Sequence, residues 1–190
     1  MKLVLDACVL YPTVMREVLL GAARAGLFSP LWSARILEEW RRAAMKLGPL
    51  GAAQAEGEIA LVRAAFPQAE VPPAPGIEAR LWLPDQSDIH VLASAIAGSA
   101  DGIVTLNAAD FPGAALAEEG LDRIDPDALM LGFLSRAPDA VRGVTEAVRR
   151  EAERLSGEAW PIRKLMKKAK MPRLGKALDQ GQGGAAPLWR

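Results

Sequence analysis

The 190-residue chain contains one cysteine, one tyrosine and one histidine. A lone Cys8 excludes an internal disulfide, and its neighbours Leu3, Val4, Leu5 and Val9 make a small buried hydrophobe the expectation, not a reactive thiol. A lone His90 excludes nuclease chemistry that works through a histidine pair, and it is expected to be exposed or packed, not catalytic. No GxSxG elbow and no GxxxxGK(S/T) or GxGxxG phosphate loop occurs, so neither a Ser-His-Asp hydrolase nor a phosphate-cradling loop is indicated. Long apolar runs are missing as well. Arg, Glu or Gly breaks each one before the roughly 18 to 20 residues of a membrane span. The opening MKLVLDA lacks the apolar core of a secretory signal, so the expected location is cytoplasmic, with no membrane association.

Net charge is zero only as a sum. Residues 158–190 carry eight Arg or Lys against two Asp or Glu, a balance of +6, which leaves fifteen against twenty-one, or −6, for residues 1–157. An acid-rich segment followed by a basic one suits a cation-binding centre plus a surface that attracts a polyanion. Basic helix faces also serve solubility, and composition does not choose between the two.

What is present is the composition of a globular protein, 51% hydrophobic and 24% charged, with length for one core and an extension but not for two full-sized enzyme domains. Residues 2–5, KLVL, read as a strand buried on both faces and ending at Asp6. The pattern then predicts a helix over 13–25 stopped by Gly26, a strand over 27–30, a helix capped by Ser33 and running to about 47, and a helix over 51–66. Asp88 opens a helix through about 97 that Gly98 ends, and strands follow at 102–106 and 121–124. This alternation predicts an α/β fold, a parallel sheet covered by helices on both faces. After Pro126 only helices are expected, over 127–136, 140–155, 161–170 and 174–178. The expected division is an α/β domain over 1–126 and a basic helical extension over 127–190, with a loose Gly-rich tail at 180–190.

Ligands of open parallel sheets sit beyond the carboxyl ends of the strands, and both apolar strands end in acids there. Asp6 follows the first strand; Asn107 and Asp110 follow the strand at 102–106. If the two strands are neighbours, about 5 Å apart, these groups share one rim. On the helix after Ser33, Glu38 lies with Arg35 and Arg42 as an exposed ion ladder, whereas Glu39 shares a stripe with Ile36 and Ala43 and needs an interior partner. Asp88 lies on the face of Val91, Leu92 and Ala95, which favours it over Asp85 in the preceding turn. Asp101 precedes its strand, at the opposite end of the sheet, and reads as structural. Clustered carboxylates make physical sense when a cation neutralises them, and an all-oxygen donor set with one histidine and one cysteine favours Mg²⁺ or Mn²⁺ over Zn²⁺.

Three segments resemble the PIN domains, especially the toxin ribonucleases of VapBC toxin–antitoxin pairs. They are LVLDACVLYP (3–12), WSARILEEWRRA (32–43) and LPDQSDIHVLASAIAGSADGIVTLNAADFP (83–112). The resemblance implies a three-layer α/β/α sandwich with about five parallel strands, one or two Mg²⁺ or Mn²⁺ ions at Asp6, Glu39, Asp88 and Asp110, and hydrolysis of single-stranded RNA. It also implies a cognate antitoxin as partner, allows a homodimer, and matches the helical extension to the tail on one branch of the family. Thr105 is a supporting hydroxyl. Many relatives carry an acid where this chain has Asn107, so Asn107 is expected to orient water or a ligand. That departure also leaves open a catalytically silent PIN-like module that binds RNA or protein. Arg163, Lys164, Lys167, Lys168, Lys170, Arg173 and Lys176 are the candidate contacts for RNA phosphates or an acidic antitoxin segment. A haloacid-dehalogenase-type phosphatase also starts with a strand-end Asp, but it needs a second Asp two residues later, where this chain has Cys8.

Overall fold

Leu3, Val4 and Leu5 are wholly buried, as are Ile103 and Val104, so the two apolar runs must lie inside a layered fold. The computed structural model describes residues 1–180; the tail expected to be loose lies, past Gln180, outside the described residues. In chain order the elements are β1 (Lys2–Leu5), α1 (Ala7–Leu10), α2 (Thr13–Arg24), β2 (Ser29–Ser33), α3 (Ala34–Met45), α4 (Pro49–Ala65), β3 (Glu70–Val71) and α5 (Pro75–Glu78). A 3-10 turn (Gln86–Asp88) follows, then α6 (Ile89–Ala97), β4 (Gly102–Val104), α7 (Gly113–Glu118), β5 (Asp122–Ile124), α8 (Pro126–Arg136), α9 (Pro138–Ser156), α10 (Ile162–Lys168) and α11 (Pro172–Asp179). Among the described residues no helix is long and apolar enough to cross a membrane. The described residues divide into two compact units, residues 1–11 with 28–124, and residues 12–27 with 125–180.

The first unit is α/β, with a five-stranded, all-parallel sheet in the order β3-β2-β1-β4-β5, flanked by helices. The chain winds outward from β1 through β2 and β3 on one side and through β4 and β5 on the other. The reversal between β1 and β4 is the switch point at which open α/β sheets bind ligands. Val4 pairs with Ile103 and Leu5 with Val104, which fixes the residues after both strands on one rim. Gly102 is required where β4 meets β5, because a Cβ there would lie 2.5 Å from the Asp122 carbonyl oxygen. Asp101 holds the far end: its carboxylate accepts from the Lys2 amide at 2.6 Å, as expected of a structural residue.

Two strands depart from the sequence expectation. β2 lies at Ser29–Ser33, later than 27–30, and Trp32 within it is fully buried. Pro30 suggested a strand end, yet it is tolerated for a local reason. The Ser29 amide donates toward β1 and the Trp32 amide toward β3, so position 30 also faces the β3 side, where pairing begins only at Trp32. β3 itself, two residues long, carries too little sequence pattern to be read.

The second unit is helical. Gly21 of α2 faces Val144 of α9 so closely that an added Cβ would stand 2.5 Å from Val144 Cγ1. Asp127, on α8 and 3% exposed, accepts from the Arg173 and Leu174 amides at 2.9 and 2.8 Å and from Arg173 Nε at 3.2 Å. A buried carboxylate thus satisfies the first-turn amides of α11, which would otherwise lack acceptors.

Candidate metal centre

The site is built at the switch point of the first unit. Asp6 ends β1 and stands at the N-cap position of α1, and Asp88 stands at that of α6, yet neither side chain makes a cap hydrogen bond. By contrast, Asp85 accepts from the Ser87 amide and Asp125 from the Ala128 amide, both at 2.8 Å. Two carboxylates in capping positions are therefore kept free of capping. A cap role does not account for them.

Asp88, Asp110 and Asp85 each offer an oxygen, and these atoms lie within 4.8 Å of one another. Asp6 and Glu39 stand outside this trio but act on it through their charge. Burial first, then the negative charges of Asp6, Asp85, Asp110 and Glu39, push the Asp88 carboxyl up to about 6. Of the four carboxylates expected from sequence, two therefore meet directly and two surround them. Helical-face reasoning favours Asp88 over Asp85, yet the structure brings both into the trio. Residues 86–88 are instead a 3-10 turn, in which side chains three apart eclipse, so Asp85 and Asp88 project to the same side. Two aspartates three residues apart just after a proline were the available signal.

The supporting residues are all tied to these acids. Thr105, buried after β4, donates its hydroxyl to Asp6 Oδ2 at 2.7 Å and accepts from the Asn107 amide at 3.0 Å. The Asn107 side-chain amide donates to Asp110 Oδ2. Cys8 is not the buried hydrophobe expected: it is half-buried, donates to Asp6 Oδ2 at 3.0 Å and accepts from the Leu106 amide at 3.2 Å. Burial, then the Asp6 charge, raises its thiol to about 12, so it remains protonated as a donor.

Glu39 has the interior partner its helix face required, and that partner is His90. The imidazole is 3% exposed and its Nε2 lies 2.8 Å from Glu39 Oε1. His90 Nδ1 is buried and has no hydrogen-bond partner among the described residues. A proton on Nδ1 would be an orphaned donor, so Nε2 carries it and donates to the carboxylate. Arg35, expected in a ladder with Glu38, instead reaches Glu39 at 3.8 Å, and Glu38 is held by Arg41 and Arg42. Both partners of Glu39 engage Oε1.

The donor set fits a hard divalent cation: it is all oxygen and anionic, and the charges of Asp6, Asp85, Asp110 and Glu39 all disfavour a negative charge on Asp88, with Arg35 the cation beside them, donating to the Ser87 carbonyl at 3.3 Å. Asp85, Asp88 and Asp110 would hold such an ion, with Asp6 and Glu39 available to it or to a second.

The basic residues belong to the second unit. Lys164 and Lys168 lie over the Trp160 ring, 5.5 and 4.7 Å from its centroid, and Lys167, Lys170 and Lys176 are exposed. Arg163 lies 3.9 Å from Asp179, and Arg173 is engaged by Asp125 and Asp127.

Fold and site together define a parallel α/β protein with a carboxylate cluster at its sheet switch point. The PIN domain family model matches residues 2–109, more than half of the chain, and the chain belongs to that family. PIN domains are typically metal-dependent nucleases that bind divalent ions through acidic residues. Asp110 stands one residue beyond the matched segment. Comparison with curated proteins and with solved structures finds no match for this chain.

Proposed function

We propose that this chain is a metal-dependent endoribonuclease that hydrolyses phosphodiester bonds of single-stranded RNA, acting in the cytoplasm as the toxin of a toxin–antitoxin pair. The observation that carries the reading is the trio Asp85, Asp88 and Asp110 within 4.8 Å, backed by the charges of Asp6 and Glu39. Asp85, Asp88 and Asp110, with Asp6 and Glu39 beside them, would hold one or two Mg²⁺ or Mn²⁺ ions, and a bound ion would supply activation of water and stabilisation of negative charge at the phosphate. The chain's own residues do the positioning. Thr105 and Cys8 fix the rotamer of Asp6 through Oδ2; Asn107 orients Asp110; His90 holds Glu39 from one oxygen and leaves the other. No protein nucleophile is needed, and the protonated Cys8 is unsuited to be one.

In this reading residues 1–126 form the nuclease domain and 127–190 a basic extension. Arg163, Lys164, Lys167, Lys168, Lys170, Arg173 and Lys176 are assigned to it as contacts for RNA or a cognate antitoxin, and assembly as a homodimer is compatible. The test is cleavage of a mixed single-stranded RNA pool by purified protein with Mg²⁺, Mn²⁺ or EDTA, alongside folded Asp6→Asn and Asp88→Asn variants. Metal-dependent cutting that both variants lose is the expected result. Cutting that survives EDTA, or an Asp6→Asn chain that fails to fold, would overturn the reading, whereas RNA binding without cutting would favour a silent binding module.

A further inference from the structure

Trp32 and Trp40 are buried, but Trp82 holds its indole in solvent, 67% exposed. A single exposed apolar side chain needs no explanation by itself. This one lines a cavity of about 390 Å³ whose sides include Leu81, Leu92, Pro112 and Ala115. At its edge Arg80 and Glu119 are locked in a two-point ion pair, 2.6 and 2.8 Å.

The cavity shares its backbone with the carboxylate cluster. Trp82 precedes Asp85 by three residues, Pro112 follows Asp110 by two, and Leu92 belongs to α6, whose N-cap is Asp88. At no more than about 3.6 Å per residue, Trp82 lies within about 11 Å of Asp85 and Pro112 within about 7 Å of Asp110, measured between Cα atoms. The volume is near the lower end of ligand pockets, roughly 300 to 1,000 Å³, which suits one flat ring system better than an extended peptide. Proteins that take single-stranded RNA hold unstacked bases on aromatic side chains, since every base has a π-face.

We propose that this cavity, with Trp82 as its stacking face, is a nucleobase subsite that holds a base of the strand whose phosphate lies at the Asp85–Asp88–Asp110 cluster. The assignment rests on the nuclease reading above and names the part of the substrate that the same loops grip. Base stacking fixes the register of the strand, so the subsite acts on binding and on the choice of cut. Phosphate chemistry remains with the carboxylates.

The test uses short single-stranded RNAs with one abasic position moved along the strand, cut by the full chain, Trp82→Phe and Trp82→Ala with Mn²⁺. Stacking on one aromatic ring gives about a 5- to 150-fold effect. The expected result is one abasic position near the cut that raises KM by such a factor in the parent chain and in Trp82→Phe. Trp82→Ala should show the same loss on intact RNA, no further loss at that position, and little change in kcat. If Trp82→Ala cuts intact RNA with unchanged KM, the subsite is overturned while the nuclease reading stands, and the exposed indole is left to a protein partner. If the parent chain does not cut, fluorescence anisotropy of the same RNAs with Ca²⁺ carries the test. A loss of affinity confined to Trp82→Ala and to one abasic position supports the subsite without the nuclease; equal affinities overturn it.

Discussion

At the scale of single residues the site is a balance between repulsion and restraint. Asp88 titrates near 3.8 in an unfolded chain but near 6 in the fold, so the folded state binds this proton more tightly. The stabilisation it contributes is complete below about pH 4 and is lost as pH rises through about 6. Metal-free Asp88→Asn is therefore expected to be more stable than the parent chain at pH 7.5, by about 1 kcal/mol once the partial exposure of the group is discounted. Thermal melts in EDTA should show the gap closing toward pH 4.5, and Mn²⁺ should reverse it by stabilising only the parent. A gap independent of pH would disconnect Asp88 from the cluster charge. His90 provides the complementary restraint. His90→Ala should weaken Mn²⁺ binding about 10- to 100-fold, as loss of a residue that orients a ligand does elsewhere, and His90→Gln, which keeps a donor, should recover part of it. Titration calorimetry with Mn²⁺ reads both, and equal affinity in the alanine variant would leave His90 a packing residue. Neither Asp85 nor the role of His90 was legible in the sequence. Both depend on where a 3-10 turn and a distant helix bring side chains 51 residues apart, and helical-face counting is blind to that.

At the scale of elements, what could be read from the chain was whatever repeats a strong local signal. The apolar runs of β1 and β4, the Ser33 cap of α3, where Ile36 N donates to Ser33 Oγ at 3.3 Å, and the Gly98 stop of α6 all lie within a residue or two of expectation. Their neighbouring places in the sheet put Asp6 and Thr105 on one rim. What could not be read depended on partners far away in sequence. β2 runs through Pro30 because its missing amide faces a gap in the β3 pairing, and β3 is two residues whose strand character comes from β2. Asp127 is a similar case: nothing nearby in sequence reveals that it caps a helix 46 residues on. Asp127→Ala leaves the buried Leu174 amide without its acceptor, at a cost of about 2 to 3 kcal/mol. That corresponds to a fall of roughly 4 to 12 °C in the melting temperature of a chain this size. A melting temperature unchanged by the substitution would mean that water replaces the carboxylate.

At the scale of the whole molecule, opposite charges are concentrated in different stretches of the chain, −6 over residues 1–157 and +6 over 158–190. Five of the acids act on one another at the cluster, and the bases differ in their contacts. Arg173 is committed to Asp125 and Asp127, and Arg163 lies near Asp179, whereas Lys164, Lys167, Lys168 and Lys170 expose their ammonium groups around Trp160 and α10. If these four lysines meet RNA phosphates, each releases counterions, and the slope of log K against log salt should fall by about 0.7 for each contact removed. A chain with all four changed to Ala is then expected to bind single-stranded RNA more weakly at low salt, with a slope smaller by up to about 3, and to keep its melting temperature. Arg173→Ala should behave in the opposite way, lowering the melting temperature because Asp127 loses a partner, with little change in slope. Anisotropy titrations between 50 and 300 mM KCl separate the cases. An unchanged slope in the fourfold variant would return the lysines to the role of a solvated helix face and leave RNA affinity to the first unit, where Trp82 and the carboxylates lie.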